Sequence, residues 1–88
     1  MAFYDKVVEE NVLKDYFGAS TTTTKTYTEE MVGLKIKNDS STSISLEVGG
    51  FTIAILGNET LDLPLTAFLT LKITATTAFR CFVYGFGA

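Results

Sequence analysis

Ile44-Ser45-Leu46-Glu47-Val48-Gly49-Gly50-Phe51-Thr52-Ile53-Ala54-Ile55 reads as a β-hairpin from its spacing. Ile44, Leu46 and Val48 alternate with Ser45 and Glu47; Phe51, Ile53 and Ile55 resume the pattern, with Thr52, Ala54 and Leu56 opposite. A period of two sends successive side chains to opposite faces of an extended chain. Gly49-Gly50 between the runs is a two-residue hairpin signal, because the turn that matches strand twist needs positive φ.

The alternation continues on both sides. Val32, Leu34 and Ile36 point one way and Lys35 and Lys37 the other, and Asn38-Asp39-Ser40-Ser41 then makes a turn. Gly57-Asn58 is another turn. Leu61, Leu63 and Leu65 alternate, but Pro64 confines their run to an edge strand or an irregular crossing. Leu69, Leu71, Ile73 and Ala75 alternate with Thr70, Lys72, Thr74 and Thr76, and Phe79 to Phe86 closes the chain. Short strands at this spacing predict a mainly β fold: a single antiparallel β-sandwich or small barrel of six or seven strands.

The leading segment differs. Tyr4, Val8, Val12 and Tyr16 fall on one stripe of a helix, Glu10 and Lys14 stand in the favourable order, and Gly18 sits at a helix stop. A short helix is expected there, with an extended arm as the alternative that Val7-Val8 and the aromatic ends leave open. The expected organisation is an N-terminal helical or extended arm over 1–18, a Thr-rich hinge over 19–25, and a β-sandwich body over 26–88.

Composition narrows the functional classes. The chain has 88 residues, enough for one domain that buries roughly 63% of its extended surface. At 47% hydrophobic and 19% charged it is too apolar to stay disordered. It has no histidine, which removes imidazole bases and ligands, and one cysteine, which excludes an internal disulfide or a multi-cysteine metal site. A net charge of −3 with scattered cations argues against nucleic acid and against an anionic membrane surface. Lys35 and Lys37 share a face, with Lys72 expected nearby, and read as a solvated patch. No run approaches the ~20 apolar residues of a membrane-spanning helix. Met1-Ala2-Phe3-Tyr4-Asp5-Lys6 lacks the pattern of a secretory signal, so a cytoplasmic origin is expected. The triplets Asn38-Asp39-Ser40 and Asn58-Glu59-Thr60 then read as turn chemistry rather than glycan acceptors.

Little in the chain has the pattern of catalysis. Alternation sends Arg80 and Cys81 to opposite faces, so Cys81 reads as a small buried hydrophobe. Glu59 and Asp62 are close enough to share a loop, and Asp39 joins an oxygen-rich turn, but no calcium-loop pattern accompanies them. No enzyme activity, cofactor or metal is expected.

The closing strand carries the strongest signal. Phe79, Cys81 and Val83 lie on one face, and Phe82, Tyr84 and Phe86 on the other. One face enters the core and the other needs a cover, either the leading segment of the same chain or a neighbouring subunit. The candidate interface is therefore Phe3, Tyr4, Val8, Val12 and Tyr16 together with Phe82, Tyr84 and Phe86.

Leu34-Lys35-Ile36-Lys37-Asn38, Ile44 to Gly50, and Leu71 to Thr76 leading into Phe82-Val83-Tyr84-Gly85-Phe86-Gly87 resemble small β-sandwich virion proteins of tailed bacteriophages. Head-decoration and tail accessory subunits belong to that group, and the likeness covers residues 30–88 in style. It implies a non-enzymatic structural subunit that self-associates, attaches to a capsid or tail protein, and resides in the virion. The alternative is a small glycan- or ligand-binding module that presents Tyr4, Tyr16, Tyr27 and Tyr84 to a sugar face.

Overall fold

The computed structural model describes residues 11–86, which form six strands and no helix. The strands are β1 (Asn11–Ala19), β2 (Thr23–Asn38), β3 (Ile44–Val48), β4 (Phe51–Ile55), β5 (Thr60–Thr74) and β6 (Phe79–Phe86). All pairs are antiparallel, in one sheet of order β1-β6-β2-β5-β3-β4.

Two long strands turn this sheet into a sandwich. Residues 23–26 of β2 run beside 70–73 of β5, and residues 33–37 of β2 run beside 60–64 of β5. The register breaks between Thr26 and Met31 and again before Gly33. Such irregularities bend and twist the strands that carry them. Beyond its bend β2 takes β6 as its other neighbour, and beyond its own bend β5 takes β3. One layer is thus β1, β6 and the second half of β2 with the first half of β5. The other is the remaining halves with β3 and β4.

The apolar faces meet inside. Leu34, Ile36, Leu46, Leu71, Ile73, Phe79 and Val83 are at most 1% exposed and belong to one cluster drawn from both layers. Each buried aliphatic side chain contributes about 1.5–3 kcal/mol by leaving water. Gly49 and Gly50 take φ of +59° and +83°, as the hairpin turn requires.

Several expectations need correction. Residues 11–19 are a strand, not part of a helix; Val12, Tyr16 and Phe17 suit extended backbone, and the edge of β6 supplies their hydrogen-bond partners. Residues 1–10, and with them Phe3, Tyr4 and Val8, lie outside the described residues. The hinge over 19–25 shrinks to a bend around Ser20–Thr22, since β2 begins at Thr23. The runs around Leu63 and Leu71 are halves of one strand rather than two strands, and the total of six lies within the expected six or seven. Within it Phe68 is buried and Leu69 is exposed, because the bend shifts the alternation. Lys72 pairs with Thr24 and Glu47 in the other layer, away from Lys35 and Lys37.

One polar residue lies in the core. Asn38 is fully buried, and its Nδ2 donates to the carbonyls of Thr42 (2.8 Å), Leu56 (3.1 Å) and Ile55 (3.2 Å). Its Oδ1 accepts from the Ser40 amide at 3.1 Å, and its own amide donates to the Glu59 carbonyl at 2.9 Å. This amide therefore ties the end of β2 to the end of β4 and to both adjoining turns. The turns touch closely: the Asn58 amide donates to the Ser40 carbonyl, and a Cβ on Gly57 would sit 2.5 Å from the Ser41 carbonyl oxygen.

Asn38→Asp keeps the shape but points an acceptor at three carbonyls. Denaturant unfolding at pH 7 should show a loss of roughly 3–5 kcal/mol, the range for breaking a buried polar network. The folded state then raises the new carboxyl's pKa, so the deficit relative to wild type should shrink as pH falls. A loss below about 1 kcal/mol would show that the clamp is dispensable.

Candidate interaction surface

Cross-strand pairing lays the closing strand's second face out in rows. Tyr16 stands opposite Phe82, which stands opposite Lys35, itself opposite Asp62. The next row is Leu13, Tyr84, Gly33 and Pro64, and beyond it Phe86 faces Asn11. On the other side lie Gly18, Arg80, Lys37 and Thr60. Paired residues share a face, so an apolar strip of Leu13, Tyr16, Phe82, Tyr84 and Phe86 is bordered by charged side chains.

The strip is only partly covered. Tyr16 packs its ring on Phe82 with centroids 4.7 Å apart and planes tilted by 37°. Phe82 and Tyr84 are half-buried, while Leu13, Tyr16 and Phe86 remain 48%, 52% and 52% exposed. Residues 11–19 thus flank the closing strand as its sheet neighbour, β1. Over Gly33, which brings no side chain, an open cleft of about 620 Å³ runs between Tyr84 and Pro64.

Where β1 approaches the first half of β2, the sandwich is closed by polar contacts. Tyr27 donates its hydroxyl to Asp15 Oδ2 at 2.9 Å, and Lys25 Nζ lies 3.7 Å from the same oxygen and 4.7 Å from the Phe17 ring centre. Burial, then the carboxylate that accepts its proton, pushes the Tyr27 phenol well above its ordinary range. Tyr27 therefore has its hydroxyl engaged internally, and Tyr16 and Tyr84 are the described tyrosines on the strip.

The other chemical candidates are occupied with structure. Cys81 is fully buried, and burial pushes its thiol up to about 12, far from a reactive thiolate. Arg80 donates from Nε and Nη2 to the two carboxylate oxygens of Asp39, both at 2.8 Å. Glu59 Oε1 accepts from the Leu56 amide at 2.9 Å, and Asp62 stands in the row with Lys35. Among the described residues no three acidic or cysteine side chains gather as a metal site would need.

The structure brings Tyr16, Phe82, Tyr84 and Phe86 together and separates Val12 from them. The register shifts between Leu13 and Asp15, so Lys14 is an extra residue and Val12 stands opposite Gly85. A Cβ on Gly85 would meet Lys14 and the core residue Met31, which places Val12 on the inward side, 41% exposed at the open end. Leu13 takes the place on the strip that helical spacing gives to Val12. A bulge after one charged residue leaves no mark in the hydrophobic pattern.

Asp39 yields a pH signature. Its hydrogen bonds to Arg80 hold its carboxyl below the ordinary carboxylate range, so the stabilisation is present above the unfolded pKa of about 3.9 and is lost as pH falls through the lower folded value. Melting curves of wild type and Asp39→Asn should differ at pH 6 and converge by about pH 2; a constant gap would contradict this linkage. No family model, curated protein or solved structure matches the chain.

Proposed function

We propose that this chain is a non-enzymatic assembly subunit that self-associates through the outer face of β1 and β6 and attaches to a larger particle. The observation that carries the reading is the half-covered strip of Leu13, Tyr16, Phe82, Tyr84 and Phe86. Exposed aromatic rings grouped on a rigid sheet and rimmed by Lys35, Asp62, Arg80 and Asp39 have the anatomy of a protein interface: an apolar centre with a charged border. A second copy is the occupant the reading names, because the strip is apolar along its centre and carries both signs of charge along its rim.

The resemblance of residues 30–88 to virion accessory proteins of tailed bacteriophages gives the particle its class, with a capsid or tail protein as the attachment partner. The glycan-binding alternative draws less support. A sugar platform needs accessible, level rings, whereas Tyr16 is tilted onto Phe82 and Tyr27 is bonded to Asp15.

Sedimentation velocity across a concentration series tests the proposal. The wild-type chain should show concentration-dependent species heavier than its 9.6 kDa monomer. Tyr16→Glu combined with Phe86→Ser should weaken that association about tenfold or more while preserving the cooperative melt, since both side chains are half exposed. A monomer at every concentration, or equal association in the double variant, would contradict it.

A further inference from the structure

The strand edges of this sheet are protected unequally. Among the described residues β1 and β4 end the sheet, and the bend leaves the first halves of β2 and β5 with one neighbour each. β1 carries Lys14 in a bulge, the first half of β2 carries Lys25 turned to Asp15, and the open half of β5 carries Asp62 and Pro64. Charges, prolines and bulges are the devices that prevent another strand from adding to an edge. β4 has none of them: Phe51-Thr52-Ile53-Ala54-Ile55 is uncharged, and its register with β3 is unbroken.

The backbone of that edge is set by the hairpin. Val48 and Phe51 flank the two-residue turn and form its closing hydrogen-bonded pair, as do Leu46 with Ile53 and Ile44 with Ile55 on alternate counting. The amide and carbonyl groups of Thr52 and Ala54 therefore face away from β3. They offer two donors and two acceptors on an edge whose first side chain, Phe51, is 66% exposed.

We propose that β4 is a second self-association site, where β4 of another copy adds antiparallel about a two-fold axis at Ile53. In this register Thr52 stands opposite Ala54 of the second copy and exchanges both backbone hydrogen bonds with it. Phe51 comes opposite Ile55 of the second copy, which is buried in its own core, and diagonal to the half-buried Ile53, the apolar neighbour that the exposed ring gains. The segment is self-complementary because it is short, uncharged and apolar on one face, so no like charges meet on the axis. Such a contact buries less than the ~800 Å² per partner of a standard stable interface. It is weak in dilute solution and is populated at high protein concentration, independently of the strip.

The site stands apart from the aromatic strip, since β1 and β4 lie at opposite ends of the sheet. Two independent two-fold contacts on one subunit link copies beyond a dimer, into a closed tetramer where the axes cross at right angles and into an open array where they do not. The edge therefore supplies a route to lattice growth that the strip alone lacks.

Disulfide trapping tests the register. Ile53 meets its own copy at a non-hydrogen-bonded pair, where Cα atoms lie about 4.5 Å apart, within disulfide range. Under mild oxidation Ile53→Cys should form a covalent dimer at least about tenfold faster than Thr52→Cys, whose copies lie diagonally apart. Cys81 is buried and does not compete. The trap should persist with Tyr16→Glu present and fall about tenfold with Ala54→Pro, which deletes an outward amide. If Ile53→Cys fails to fold, mixing Thr52→Cys with Ala54→Cys reads the same register, and mixed dimers should outnumber self-dimers. Equal rates at positions 52 and 53, no trapping, or loss of trapping with Tyr16→Glu would overturn the proposal.

Discussion

The bend shared by β2 and β5 is the constraint on which this architecture depends. Without helices among the described residues, the sheet has to supply its own cover, and it does so by folding across the register breaks between Thr26 and Gly33. Gly33 sits at that bend, where a Cβ would stand 3.2 Å from the Leu63 carbonyl oxygen. A side chain there would press on the neighbouring backbone. Folding the sheet across this point closes one interior, and Asn38 secures the end of the sandwich where β2, β4 and their turns converge.

Closing one interior uses one face of every strand. Most outer faces of this molecule are threonine, lysine or glutamate, which water solvates well. The outer face of β1 and β6 is different: Tyr16, Phe82, Tyr84 and Phe86 lie side by side, and the Tyr16 ring packs on Phe82. Apolar area of this kind, contiguous and rimmed by charge, is what separates an interaction face from the scattered exposed hydrophobes of ordinary surfaces. The assembly role proposed above follows from that residual area.

Much of the body was legible in the sequence because its strands alternate cleanly. The hairpin at Gly49-Gly50, the turns at Asn38 and Gly57-Asn58, and the inward faces of Leu34, Ile36, Ile44, Leu46, Val48 and Phe79 follow from a period of two. The first strand was not legible: Tyr16 is four residues after Val12, a spacing that suits a helix and also suits a strand. Only pairing with β6 selects the strand, and pairing lies outside any local window. The bulge at Lys14 then moves Val12 to the other face and brings Leu13 onto the strip. The bend in β5 was hidden for a related reason, since Pro64 marks a break in the pattern without saying that one strand continues through it.

The central claim is that a second copy covers the aromatic strip, and nitration of Tyr16 followed over a dilution series measures this most directly. Tyr16 sits on the strip at 52% exposure, whereas Tyr27 is held internally by Asp15 and serves as the reference in the same molecule. The account predicts that Tyr16 reacts readily in dilute protein and becomes protected as concentration rises, with Tyr27 slow throughout. Nitration of Tyr16 at one unchanging rate, from the most dilute to the most concentrated sample, would contradict it.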